Sequence, residues 1–219
     1  KIYNIDQRIK AGEYLLSKSE SIFTLQKKFI KGDTFFRKLQ LLEGMTTREI
    51  LKLGNSEGIV DDINGDLEKF KLKLNIVGQA EGLLFPDTFY YQKGDLFSSL
   101  LKRAFDKQQI VYTDLWNSRQ EDLPYSSLIE AITLASIIEK EGLEKEMIAG
   151  VFVNRLRKKM KLQSDPTVIF ALGSKFDGNI KRSHLRIDNP YNTYRYKGLP
   201  PGPIGLVSLS SIEAALNPK

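Results

Sequence analysis

Apolar positions along the chain change period several times, and each change marks an element. Ala11–Leu16 and Ile22–Leu25 are short apolar runs bounded by Ser and Gly, read as strands of a small β-rich unit. Lys27–Asp33 follows as a turn, and Phe35–Leu42 alternates basic and apolar residues as a further strand. Thr46 with Glu49 three residues on is a capping box that opens a helix. The Gly- and Asp-rich stretch 54–65 reads as a loop flanking a short helix, and Glu81–Tyr91 as a turn entering an aromatic strand. From Leu96 to Ile110 the spacing turns helical.

Ser127 and Glu130 form a second capping box. It starts a helix on which Leu128, Ala131, Leu134, Ala135 and Ile138 share one face. Gly142 ends that helix. A further helix spans about 143–160, with Glu144 and Glu146 near its start and Arg155, Arg157, Lys158 and Lys159 near its end, the order that complements a helix dipole. Neither internal repeats nor low-complexity tracts interrupt the pattern. The fold class read from it is α+β: a small β-rich unit over residues 1–42, then a mixed α+β domain over 43–219 built around the helix that ends in Glu139-Lys140-Glu141.

Composition narrows the chemistry. The 219 residues are 41% hydrophobic and 27% charged, ordinary for a globular protein, and no apolar run approaches the ~20 residues that cross a bilayer. The chain opens on Lys1 without Met and stops at Lys219, so it reads as a trimmed fragment. A net charge of +6 suits an anionic partner, but Lys and Arg are dispersed rather than gathered into the stripe a nucleic-acid reader would present. With no Cys and a single His184, thiolate, multi-histidine metal and Ser-His-Asp chemistries lack their residues. Neither a metal nor a cofactor is called for, and an enzyme here would work through carboxylates.

The helix end at Glu139 and Glu141 is the natural place to look. A carboxyl desolvated at the apolar end of a helix keeps its proton near neutral pH, as a general acid must. At ~100° per residue the two glutamates flank the buried stripe on opposite sides, each roughly 80° from its centre, so they form no dyad. Periodicity alone does not choose between them, and solvated glutamates at helix ends are commoner than perturbed ones. Downstream lie further polar candidates. Asn154 and Arg155 sit on the next helix; Gln163, Ser164 and Asp165 precede Pro166, where Ser164 and Asp165 are equally suited to capping a helix. Tyr191, Asn192 and Tyr194 stand in an aromatic loop of a kind that binds sugars or merely packs, and 198–204 is a proline-rich rigid turn.

Taken in order, Leu134–Glu141 (LASIIEKE), Val151–Arg157 (VFVNRLR), Leu162–Ile169 (LQSDPTVI), Tyr191–Tyr194 (YNTY) and Gly198–Gly202 (GLPPG) resemble the endolytic murein transglycosylase, or YceG-like, family, with Phe85–Thr88 and Ala11–Tyr14 as earlier landmarks. The resemblance implies that residues 1–42 are the last part of a LysM-like unit and that 43–219 is the catalytic domain, short of its C-terminal strands. It implies non-hydrolytic cleavage of the MurNAc–GlcNAc β-1,4 bond inside a peptidoglycan strand. The product carries a 1,6-anhydroMurNAc end, and the reaction terminates or releases nascent glycan. The second Glu of the motif, Glu141, is then the catalytic acid, with Glu139 the next candidate. Asn154, Arg155, Gln163, Ser164, Asp165, Tyr191, Asn192 and Tyr194 would line the cleft. Further implications are a single-pass inner-membrane protein whose anchor lies outside these residues, with its catalytic domain in the periplasm or outside the cell. Peptidoglycan strands are the expected partner, with cell-wall synthases and the elongation or division machinery as candidate protein partners, and nucleic acid is not expected. The competing expectation is a peptidoglycan-binding module without catalysis.

Overall fold

A computed structural model of the protein describes residues 9–219, so the first eight residues of the predicted 1–42 unit lie outside the described residues. Eight α-helices and one two-stranded sheet are found among the described residues: α1 Ile22–Lys31, β1 Arg37–Gln40, α2 Thr47–Leu51, α3 Leu67–Leu74, β2 Thr88–Tyr91, α4 Phe97–Asn117, α5 Leu128–Glu141, α6 Lys145–Arg157, α7 Asp165–Leu172 and α8 Leu209–Leu216. The fold is mixed and mainly helical, within the α+β class. β1 and β2 pair antiparallel, with Leu39 opposite Phe89, and both residues are buried.

The N-terminal segment departs from the predicted β-rich unit. Ile22–Leu25 is the first turn of α1, not a strand. Ser21 caps it by accepting from the Thr24 amide, and Gly32 closes it at φ 74°, a left-handed conformation that suits glycine. A short apolar run without strict alternation fits either element, and here the caps decide. Ala11–Leu16 forms no strand, whereas the run 35–42 does hold β1.

Both capping boxes are present, at Thr46/Glu49 on α2 and Ser127/Glu130 on α5. Two adjoining cores result. One gathers β1, β2, α2, α3 and the start of α4 around Ile50, Phe70, Phe97 and Leu101; the other gathers α5, α6 and α8 around Leu134, Ile137, Ile138, Val153 and Ile212. The segment 204–207 joins them, with Ile204 and Val207 in the second core and Leu206 in the first. The Gly44 amide donates to Leu206 O at 2.8 Å and the Leu206 amide to Met45 O at 2.8 Å, so backbone pairing fastens the seam.

The predicted single buried face of α5 is too narrow. Every residue from Ala131 to Ile138 is buried, so the helix runs through the middle of its core. Its two interior hydroxyls are satisfied locally. Thr133 donates to Ile129 O at 2.7 Å; Ser136 donates to Thr133 O at 2.7 Å and accepts the Ile204 amide at 3.0 Å.

The expected single-pass membrane placement is corrected here: among the described residues no helix is long and apolar enough to cross a membrane. The longest, α4 with 21 residues, carries Lys102, Arg103, Asp106, Lys107 and Asp114 along its length, charges that the bilayer core would not accept.

Candidate active site

Helix α5 delivers its last three side chains in three directions. Glu139 points to the start of α8 and is nearly buried, its side chain 10% exposed. Its carboxylate accepts the Ser208 amide at 2.9 Å, the Ser208 hydroxyl at 2.5 Å and the Ser211 hydroxyl at 2.7 Å, and pairs with Lys145 at 3.0 Å. Burial alone would raise its pKa. The hydrogen bonds from Ser208 and Ser211 and the Lys145 ammonium outweigh that and hold it below the usual glutamate value. Glu139 is thereby an ionised brace with its lone pairs committed.

Lys140 turns towards residues 44 and 205, within reach of the charges on Glu49 and Glu81. Glu141 turns a third way and is exposed. Its Oε1 accepts the Ser164 hydroxyl at 2.5 Å, and its Oε2 has no hydrogen-bond partner among the described residues. The two glutamates therefore share no partner, as expected of positions 200° apart on a wheel.

Around Glu141 the structure gathers some of the predicted residues and separates others. Ser164, buried at 1% exposure, lies at the N-cap position of α7, but its hydroxyl makes no capping bond and is directed at Glu141. Asp165 accepts the Tyr194 hydroxyl at 2.6 Å. That phenol is pushed up to about 12, first by burial, then by the bond to Asp165 and the charges of Asp165 and Glu141. Arg155 donates from Nη1 to Leu162 O, close enough to Tyr194 for its charge to act there. Gln163 is exposed with φ 53°, a left-handed kink that turns the chain from Leu162 into α7.

Three predicted residues are elsewhere. Asn154 faces a surface depression with Gly150, Arg157 and Lys219, bordered by none of the other predicted residues. Asn192 has no exposed surface; it donates to Leu185 O and Ile187 O and accepts the Tyr194 amide, which makes it internal bracing of the loop. Tyr191 packs against Phe170 with ring centroids 4.8 Å apart, and its hydroxyl bonds Gln79 at 3.1 Å.

A carboxyl whose pKa is raised by burial lies outside α5, at Glu81. Burial raises its pKa to about 7, opposed by the Thr47 amide, which lies 2.9 and 3.2 Å from its two oxygens, and by the charge of Lys140. It was absent from the predicted site because its own segment carries no signal beyond a carboxyl before an apolar run, 83–86. Its burial is tertiary: the segment that packs over it includes Thr47, 34 residues away, whose amide donates to its carboxylate. Two more residues went unmarked, Thr167 and Thr193, whose hydroxyls are buried beside Ser164. No group of three or more His, Cys, Asp or Glu side chains fit to hold a metal converges among the described residues.

Comparison with known proteins bears on this arrangement. The sequence model of the YceG-like family matches residues 1–219. A protein of Bacillus subtilis (strain 168) named endolytic murein transglycosylase is 43% identical over 147 residues, 66% of this chain and 40% of its own length. One of the same name from Streptococcus pneumoniae (strain ATCC BAA-255 / R6) is 32% identical over 251 residues, 95% of this chain and 44% of its own length. The chain thus spans less than half the length of these curated relatives. A crystal structure of a YceG-like protein from Listeria monocytogenes is similar with a TM-score of 0.66 and 32% identity, covering 99% of this chain and 79% of that one.

Proposed function

This chain belongs to the YceG-like family, and from that premise we propose that it carries the catalytic part of a peptidoglycan lytic transglycosylase. Its relatives are named endolytic murein transglycosylases, which supports peptidoglycan glycan strands as the substrate. The observation that carries the reading is the asymmetry of the two motif glutamates. Glu139 is saturated by Ser208, Ser211 and Lys145, whereas Glu141 is held at one oxygen by Ser164 and open at the other.

In this reading the free oxygen of Glu141 delivers a proton to the glycosidic oxygen between MurNAc and GlcNAc, and the GlcNAc side leaves as its hydroxyl. The C6 hydroxyl of the same MurNAc attacks its own anomeric carbon. Its proton passes to the Glu141 carboxylate, which restores the acid and closes a 1,6-anhydro ring. Because the nucleophile belongs to the substrate, a second carboxylate at the usual glycosidase separation is not required. That fits a site where Glu139 is turned away into α8. Asp165 and Tyr194, bonded to each other on the exposed side of Ser164, and Gln163 beside them are the groups proposed to touch the glycan, with Arg155 behind them.

For residues 1–42 the proposal remains the last part of a LysM-like unit that helps hold the glycan, with α1 and β1 as its described elements. The test of function is product chemistry. Purified peptidoglycan digested with the wild-type chain should yield 1,6-anhydro ends by mass spectrometry, with strands shortened from the interior. New reducing ends would mean hydrolysis, and glycan binding without cleavage would favour the non-catalytic module.

A further inference from the structure

We infer that Thr193 and Thr167 are positioning residues for Glu141, acting through Ser164; this rests on the proposal that Glu141 is the acid. The Ser164 amide donates to Thr193 Oγ1 at 3.0 Å, and Thr167 Oγ1 donates to Ser164 O at 2.7 Å. Each hydroxyl has a single proton. Thr167 Oγ1 lies 2.7 Å from Ser164 O and Thr193 Oγ1 3.4 Å from it, so the bond to that carbonyl is assigned to Thr167 and the 2.8 Å contact between the two threonine oxygens to Thr193 as donor. The three bonds close a ring: Ser164 N–H to Thr193, Thr193 to Thr167, Thr167 to Ser164 C=O. The N–H and the C=O of Ser164, on either side of its Cα, are both pinned by side chains, from the loop 189–196 and from α7.

The ring is dry. Ser164, Thr167 and Thr193 are 1%, 0% and 2% exposed, so no water competes for its donors. It leaves one group of Ser164 unused, the hydroxyl. At an N-cap position a serine hydroxyl ordinarily turns back to the amides of its own helix. Here it does not, and its bond goes to Glu141 Oε1 at 2.5 Å. Glu141 itself is exposed at the last position of α5, where a side chain with three rotatable bonds would otherwise sample many orientations. The ring fixes Ser164, Ser164 fixes one carboxyl oxygen, and the other has no hydrogen-bond partner among the described residues.

The test uses solubilised glycan strands, with initial rates of anhydro-end formation giving kcat and KM separately. Ser164→Ala should lower kcat by roughly 10- to 100-fold with KM little changed, the scale of a misplaced catalytic group. Thr193→Val, which keeps the shape and deletes the hydroxyl, should lower kcat in the same way, and Thr193→Ser should restore it. Since all act through one bond, Ser164→Ala with Thr193→Val should fall no more than about twofold below Ser164→Ala alone. If the wild-type chain forms no anhydro ends, the reading of Glu141 fails, whatever the threonines do. If the wild type is active and Thr193→Val matches it, or if the two losses multiply, the positioning role is overturned. Should Thr193→Val lose its near-ultraviolet circular dichroism, Ser164→Ala decides, because it leaves the ring intact: an unchanged kcat there overturns the inference.

Discussion

Removing the Glu139 side chain isolates its bracing role from catalysis. Glu139→Ala takes the acceptor away from the Ser208 amide and from the Ser208 and Ser211 hydroxyls, and it removes the counter-charge of Lys145. Truncating one partner of a buried ion pair costs roughly 3–5 kcal/mol when the survivor is stranded. Lys145 keeps the Ser208 and Ser210 hydroxyls at 2.8 and 3.0 Å, which places the expected loss at the lower end, about 3 kcal/mol. For a chain of this size that is a fall in Tm of roughly 6–12 °C. The pH dependence follows from the lowered pKa. The unfolded carboxyl takes its proton near the ordinary value of 4.5, and the folded one only at lower pH. The stabilisation is therefore complete above 4.5 and decays as pH falls through the folded pKa. Guanidinium unfolding of wild type, Glu139→Ala and Glu139→Gln from pH 7 to pH 3 measures it. A cost below about 1 kcal/mol at pH 7, or a gap that does not narrow in acid, would refute the bracing role.

Three other substitutions probe the frame. Glu81 has its pKa raised to about 7, so the folded state binds a proton more tightly than the unfolded one between 4.5 and 7, and stability falls as pH rises through that window. Glu81→Gln should abolish this, gaining up to about 3 kcal/mol on wild type between pH 5 and pH 8; parallel curves of Tm against pH would contradict it. Tyr112→Phe removes the fully buried hydroxyl that bonds Val207 O, leaving a carbonyl unpaired at a cost of about 1–3 kcal/mol in chemical denaturation. Gly205→Ala places a Cβ 2.6 Å from Gly44 O, against backbone at the seam between the two cores, and should cost about 1–3 kcal/mol by the same assay. A neutral result there would mean that the seam yields.

What was legible in the sequence had local causes. The two capping boxes, the alternation of β1 and the long helical period of α4 are set by residues two to four apart, and they stand where the pattern put them. Ile22–Leu25 reads as a strand and Lys27–Asp33 as a turn, yet together they hold one helix, because a short mixed pattern fits two periods and only Ser21 and Gly32 break the tie. The site was legible as chemistry but not as geometry. That the end of α5 bears carboxylates is plain; that Glu139 is consumed by α8, 69 residues on, is a tertiary fact. The same holds for Asn192, which the sequence offers as a sugar-binding amide and the fold spends inside its own loop. Glu81 and the threonine ring depend on partners 26 to 34 residues away, a separation no window of periodicity spans.

The central claim is that Glu141 carries the proton. Digestion of purified peptidoglycan by wild type, Glu141→Gln and Glu139→Gln, with anhydro-muropeptides quantified by mass spectrometry at a temperature where all three are folded, tests it most directly. The account predicts anhydro products from wild type and Glu139→Gln and none from Glu141→Gln. Undiminished products from Glu141→Gln, with loss in Glu139→Gln, would contradict it.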